Sequence, residues 1–125
     1  MQTFVETVSE WDGVEGHPHR FGGTEFKLGK VEIGHIHHGN GMVDIPFTVK
    51  IREELVREDK TGLHHLLQDS GWTTFYIRSE DDLQQAIWLM RLSYLHKASR
   101  RQSIDPEEID AMNLSDFLRL AISTK

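Results

Sequence analysis

The chain contains no cysteine among its 125 residues, which excludes disulfides, thiolate metal sites and cysteine nucleophiles. It also has no apolar run close to the ~20 residues that a membrane-spanning helix needs. Its first residues, MQTFVETVSEW, lack the basic head and continuous apolar middle of a secretory signal. We therefore expect a cytoplasmic protein that does not partner a membrane.

Positive charge is scarce, because 14 basic residues stand against 20 acidic ones and the formal net charge is −6. General affinity for nucleic acid depends on Lys and Arg neutralising phosphates, so we expect no nucleic-acid partner. The hydrophobic share of 38% and the charged share of 27% are typical of a globular protein. A chain of this length fits one domain with a single core.

The first third of the chain alternates as strands do. Residues 3–14 predict an N-terminal strand, either continuous or broken near Asp12-Gly13. Residues 24–28 and 31–38 alternate on either side of Gly29-Lys30, which predicts a hairpin with a two-residue loop. MVDIPF predicts a third strand after the two strands of the hairpin. Pro46 ends it, because proline cannot donate a hydrogen bond to a neighbouring strand.

Helical patterns then alternate with one further strand. Thr48 can cap a helix over residues 49–58, and WTTFYIR predicts a strand. Ser79, followed by three acidic residues, opens the longest helix in a variant of the capping box. Strands joined by tight turns must pair antiparallel. The order therefore predicts an α+β fold, with a curved antiparallel sheet of about five strands and helices packed on one face.

The long helix carries a second apolar stripe, formed by Trp88, Leu92 and Leu95, opposite its predicted buried face. We predict one α+β domain over residues 1–98, followed by a linker and helical extension over residues 99–125. Asp105-Pro106 is a strong helix start in this extension. We expect the extension to pack on the stripe, either within the subunit or across a homodimer.

The segment His17–His38 holds five of the eight histidines. Strand alternation places Val31, Ile33, His35 and His37 on one face, and Glu32, Gly34, Ile36 and His38 on the other. Two imidazoles at i and i+2 lie about 7 Å apart along a strand. They can chelate zinc, nickel, copper or iron, so we predict a divalent transition metal held by His19, His35 and His37. Alternatively, these histidines bind only backbone groups, carboxylates or solvent.

A second hypothesis is a small anionic ligand. Arg20 can hold a carboxylate or phosphate through its planar guanidinium, beside Gly22-Gly23, which permits a tight bend or a close backbone approach. The candidate ligand-binding residues are His17, His19, Arg20, Asp44 and His65. Alternatively, Arg20 pairs with a nearby acid and the glycines only turn the chain.

A third hypothesis is general acid–base chemistry by a histidine close to Asp44, Asp69 or Glu25. Ser70, which lies beside Asp69 and near His64 and His65 in the sequence, could join such a set. Asp-Ser-Gly is, however, typical of a turn, and we assign no catalytic residue. The preferred function is a cytoplasmic binding module with a histidine-lined pocket. The alternatives are an enzyme that uses the same pocket and a homodimer-forming interaction module.

Five motifs also resemble one known family: HPHRFGG, GHIH, DIPF, DSGW and the Ser-Glu-Asp start of the long helix. Together they are similar to small uncharacterised bacterial and fungal domains labelled luciferase domains, over roughly residues 14–97. More distantly, residues 64–91 resemble YjbR-like domains in layout. The YjbR-like resemblance implies an α+β fold with a curved antiparallel sheet, and the resemblance to luciferase domains implies no reaction.

Overall fold

The computed structural model describes residues 2–19 and 22–123. In these ranges the strands are β1 (Val14–His19), β2 (Gly23–Leu28), β3 (Val31–His37), β4 (Met42–Pro46), β5 (Gly62–Leu63) and β6 (Trp72–Tyr76). The helices are α1 (Gln2–Ser9), α2 (Val49–Arg57), α3 (Glu80–Ser99), α4 (Pro106–Asp110) and α5 (Asp116–Ser123). The strands form one antiparallel sheet in the order β1-β2-β3-β4-β6-β5. The predicted α+β class is confirmed, and the short β5 makes the sheet six-stranded.

The N-terminal strand predicted over residues 3–14 is wrong, because most of this segment forms helix α1. Phe4 and Val8 lie one helical turn apart and are fully buried, a spacing that places both on one face of a helix. Phe4 packs edge-on against Phe26 of β2, with ring centroids 6.0 Å apart. The first strand starts only at Val14.

The hairpin around Gly29-Lys30 is confirmed, but the predicted alternation along β3 is wrong. Phe26 pairs with Gly34 and Lys27 pairs with Glu32, so a bulge leaves Ile33 without a partner in the register. One extra residue reverses the side-chain alternation beyond it. Ile33 is therefore fully buried in the core, whereas Glu32 lies on the same sheet face as His35.

Helix α3 anchors the inner face of the sheet. Ser79 caps its start by accepting a hydrogen bond from the backbone N–H of Asp82 at 3.1 Å. Ser93 donates to the carbonyl of Ile33 at 2.8 Å, and Lys97 donates to the carbonyl of Pro46. These contacts tie the helix to β3 at the bulge and to the end of β4, which fixes the two strands that carry the site.

The C-terminal segment packs on α3 within one chain. Trp88 donates from Nε1 to the carbonyl of Met112 at 3.0 Å, and Ser99 donates to the carbonyl of Ile122 at 3.2 Å. Leu118 and Ile122 of α5 join the core cluster, as do Leu92 and Leu95 of the predicted stripe.

None of the helices in the described ranges combines the length and apolar character that crossing a bilayer requires.

Candidate functional site

A row of polar side chains crosses the outer face of the sheet, opposite to the helices. The register aligns Glu25 of β2 with His35 of β3, His35 with Asp44 of β4, and Asp44 with Thr74 of β6. Side chains of directly opposed residues point to the same face. Val43 and Ile45, on either side of Asp44, point inward and are fully buried.

Asp44 is the centre of a histidine cluster, which we define as His19, His35, His37, His64 and His65. Its carboxylate is 1% exposed, and Thr74 donates to Oδ1 at 2.7 Å. Four histidine Nε2 atoms surround Oδ2, at 3.2 Å for His35, 3.4 Å for His37, 3.6 Å for His64 and 3.6 Å for His65. One buried carboxylate oxygen thus faces four imidazoles from two parts of the chain.

His35 lies between two carboxylates. Its Nδ1 is 2.6 Å from Oε2 of Glu32, and its Nε2 faces Asp44. Burial disfavours the imidazolium, but the hydrogen bonds to Asp44 and Glu32 outweigh burial and raise the pKa of His35 to about 9. Burial would also raise the pKa of Asp44, but hydrogen bonds from His35 and Thr74 lower it to about 2. At neutral pH the cluster therefore contains an imidazolium–carboxylate pair.

His37 has the opposite balance, although it lies only two residues further along β3. Burial, reinforced by the positive charge of His35, lowers the pKa of His37. A neutral imidazole keeps one ring nitrogen with an available lone pair. His37 is therefore able to ligate a metal without first losing a proton at neutral pH.

His19 reaches the cluster across a glycine. Gly23 of β2 lies between His19 of β1 and His37 of β3 in the register. The His19 ring stacks on His35 with centroids 4.1 Å apart, and it meets His37 edge-on at 5.6 Å. A Cβ at Gly23 would lie 2.4 Å from the carbonyl oxygen of Ile36, so the backbone approach predicted for this glycine is present.

His64 is held in one tautomer by the backbone. Its Nδ1 accepts hydrogen bonds from the N–H groups of Leu66 at 3.1 Å and Leu67 at 3.0 Å. Burial, opposed by the charge of Asp44, lowers the pKa of His64. In a neutral ring whose Nδ1 accepts, the proton is on Nε2. His64 therefore presents an N–H to Asp44 and no lone pair.

His65 and Trp72 form the side of the cluster nearest β6. The side chain of His65 is 38% exposed, and its backbone N–H donates to Thr74 at 3.3 Å. The Trp72 ring lies 5.5 Å from that of His35 and 6.0 Å from that of His64. The indole supplies an apolar wall, while His65 faces solvent.

The structure brings together five of the predicted site residues: His19, His35, His37, Asp44 and His65. His17 stays apart, because its Nε2 lies 3.3 Å from Glu15 and its side chain is 48% exposed. Arg20 lies outside the described residues. Ser70 serves the turn, since it donates to the carbonyl of Leu67 at 2.6 Å and accepts from the N–H of Trp72 at 3.1 Å.

Two members of the site were not predicted. Glu32 was assigned to the wrong face because the bulge is invisible to a strict period of two. Its spacing of three residues from His35, with a glycine between them, is the one signal that could have indicated a bulge. His64 was considered only beside Ser70, because nothing in the sequence shows that the segment before β6 folds back over Asp44.

Two groups of side chains in this arrangement offer atoms that could hold a metal ion. The ligand atoms of His19, His35 and His37 all lie within 4.8 Å of one another, and so do those of Asp44, His64 and His65. A tetrahedral site with bonds of ~2.0–2.1 Å has ligand-to-ligand edges of about 3.3–3.4 Å. The 3.2 and 3.4 Å separations of Asp44 Oδ2 from His35 and His37 are close to those edges.

Comparison with known proteins identifies the family of the chain. No curated protein matches it. The family model described as the Luciferase domain matches residues 30–93, just over half of the chain. The matched range includes β3, β4 and the segment that carries His64 and His65, and it leaves out His19. The chain belongs to the Luciferase domain family.

Proposed function

We propose that the protein is a metal-binding module that holds one divalent transition-metal ion through His19, His35, His37 and Asp44. The observation that carries the proposal is the position of Asp44 Oδ2, 3.2 Å from Nε2 of His35 and 3.4 Å from Nε2 of His37. A buried carboxylate with two imidazoles at these separations needs little rearrangement to become three ligands of one ion.

Glu32 supports this assignment from behind His35. Histidine ligands commonly donate their second ring N–H to a carboxylate, which orients the ring and makes the ligating nitrogen more basic. The 2.6 Å contact from His35 Nδ1 to Glu32 supplies that partner. When a metal replaces the proton on Nε2, the Nδ1–H bond to Glu32 is kept.

His64 supports the site without binding the ion. The backbone amides of Leu66 and Leu67 occupy its Nδ1, so its Nε2–H is a donor toward Asp44. A ligand nitrogen must present a lone pair to the metal. His64 therefore positions the carboxylate, together with Thr74 on its other oxygen.

The donor set favours metals that accept imidazole and carboxylate. With no thiolate in the chain, zinc, nickel, copper and iron remain suitable. Zinc is the convenient probe because it has no redox chemistry and accepts tetrahedral sites.

Metal analysis of protein made without a histidine tag tests the proposal. We expect about one equivalent of metal per chain, and added zinc should raise the melting temperature of chelator-treated protein because the ion binds only the folded state. His37→Gln should lose both effects. His38→Gln is the matched control, because His38 is an exposed histidine that contacts Thr24 at 2.8 Å. A metal content under about a tenth of an equivalent per chain, together with a melting temperature that no added metal shifts, would rule the proposal out.

A second candidate is an enzyme that uses the bound ion, and the half-exposed His65 beside Asp44 favours it. Catalytic metal sites keep one coordination position open to water or substrate. Azide added to cobalt-loaded protein should then change the visible spectrum. An unchanged spectrum would indicate a closed binding site and remove the catalytic alternative.

A further inference from the structure

A cavity that shares no residue with the histidine cluster lies where the start of α2, the end of α3 and helix α5 meet. Its volume is about 340 Å³, within the range of small-molecule pockets. Its polar lining comes from Thr48, Lys50, His96 and Arg100. None of the lining residues is acidic, although acidic residues outnumber basic ones in the whole chain by 20 to 14.

His96 is a buried and uncharged part of the polar wall. The residue is 4% exposed, and its Nδ1 is buried without a hydrogen-bond partner in the part of the chain that the structure describes. Burial, reinforced by the charges of Lys97 and Arg100, lowers its pKa to about 4. The positive charge of this wall at neutral pH therefore comes from Lys50 and Arg100.

The remaining wall is apolar and partly open to solvent. It consists of Ile51, Phe117, Leu120 and Ala121. Phe117 is 41% exposed and Leu120 is 69% exposed, so both are large apolar side chains of α5 that solvent reaches. The ammonium of Lys50 lies 5.7 Å from the centre of the Phe117 ring, so the cationic and apolar walls adjoin each other.

We propose that this cavity binds a small amphipathic carboxylic acid. Its carboxylate lies between the side chains of Lys50 and Arg100, and its hydrocarbon body covers Phe117 and Leu120. The start of α2 adds a favourable field, because a helix N-terminus attracts negative charge. A neutral ligand would form no ion pair with Lys50 or Arg100, and a free inorganic anion would leave the apolar wall exposed to solvent.

The charge and the hydrocarbon body are tested separately with three probes. Octanoate carries both features, octanamide lacks the charge, and acetate lacks the hydrocarbon body. We expect octanoate to bind chelator-treated protein at least about tenfold more tightly than either of the others, a factor equivalent to ~1.4 kcal/mol. In NMR titrations it should shift the imidazole signals of His96 and the amide signals of Lys50 and Phe117.

Variants locate the site. Arg100→Gln should weaken octanoate binding by about tenfold, whereas the neighbouring Arg101→Gln, which lies outside this cavity, should not. Leu120→Asp should abolish octanoate binding, because it places a carboxylate on the apolar wall. Leu120 is exposed, so this substitution should leave the fold intact, and a loss of binding would not be due to misfolding. His37→Gln should bind octanoate as well as wild type does, which separates this proposal from the metal site. Equal binding of all three probes, or octanoate binding that Arg100→Gln and Leu120→Asp leave unchanged, would overturn the proposal.

Discussion

His64 and Asp44 face each other with 3.6 Å between Nε2 and Oδ2, and the opposite nitrogen of His64 is occupied by backbone amides. The distance of His64 from Asp44 alone would suggest a further metal ligand. His64 is instead a hydrogen-bond donor, because its Nε2 carries the proton. This distinction separates the residues that should bind a metal from those that should only support it.

The first prediction compares His64→Gln with His37→Gln. His64→Gln should still bind one zinc ion, with an affinity lower by about 10–100-fold, as for other outer-shell substitutions. His37→Gln should bind none at the same concentrations, because it loses a ligand. Titration calorimetry of both variants measures this difference. A wild-type NMR spectrum in which zinc removes the Nε2 proton of His64 would contradict the assignment.

The second prediction concerns Glu32. Glu32→Gln should lower zinc affinity by about 10–100-fold, because His35 loses the carboxylate that orients its ring. Glu25→Gln is a matched control, since Glu25 lies directly opposite His35 in the register but its carboxylate is 3.4 Å from Lys27. The dissociation constants of the two variants would be compared by competition with a chelator. Equal losses in both would show that net charge, and not the contact with His35, is responsible.

The bulge at Ile33 shows what the sequence could and could not predict. The hairpin followed from Gly29-Lys30, and the α+β class followed from the order of patterns. The faces of β3 did not follow, because a bulge depends on packing against α3. A Cβ at Gly34 would lie 2.6 Å from Cε of Met90, so the close approach of helix and strand at this position requires a glycine.

The site was predictable to a similar extent. His35 and His37 were paired correctly because they lie beyond the bulge, where the period of two resumes. Asp44 lies near these two histidines because a short turn connects β3 to β4. Glu32 and His64 depended on the bulge and on a fold-back over the sheet, which are tertiary features without a local signal. The helix α1 was missed because Phe4, Val5 and Val8 fit an irregular strand as well as one helical face.

A third prediction concerns the close approach of Gly34 in β3 to Met90 in α3. Gly34→Ala should lower the free energy of unfolding by about 2 kcal/mol or more, because the methyl group meets Met90 in a packed core and Gly34 has φ +152°. Gly39→Ala should have little effect, since in the described chain no atom beyond Gly39 and its two sequence neighbours lies within 4 Å of the added Cβ. Urea unfolding measures both. A stability of Gly34→Ala equal to that of Gly39→Ala would show that the bulge tolerates a side chain.

A fourth prediction concerns the dependence of stability on pH. Burial, reinforced by Arg100, lowers the pKa of Lys97 from 10.5 to about 7. Between these values the unfolded chain binds the proton and the folded chain does not, so the free energy of unfolding rises with pH. Below about pH 7 both states are protonated, and the full cost of the buried charge is present.

Lys97→Met isolates this contribution. The variant should gain stability relative to wild type near pH 6, and the gain should shrink as pH rises to about 10. Lys30→Met, at an exposed lysine in the hairpin loop, is the control for replacing a lysine at the surface. Urea unfolding of the three proteins at each pH provides the comparison. A pH-independent difference for Lys97→Met would show that Lys97 keeps an ordinary pKa.

The most direct measurement is an anomalous difference map from a crystal of the tag-free protein soaked with zinc and recorded at the zinc absorption edge. The account predicts one strong peak ~2.0–2.1 Å from Nε2 of His35 and Nε2 of His37, with Asp44 also in coordination range and His64 outside it. A map without a peak at the histidine cluster, or with peaks only elsewhere on the surface, would contradict the central claim.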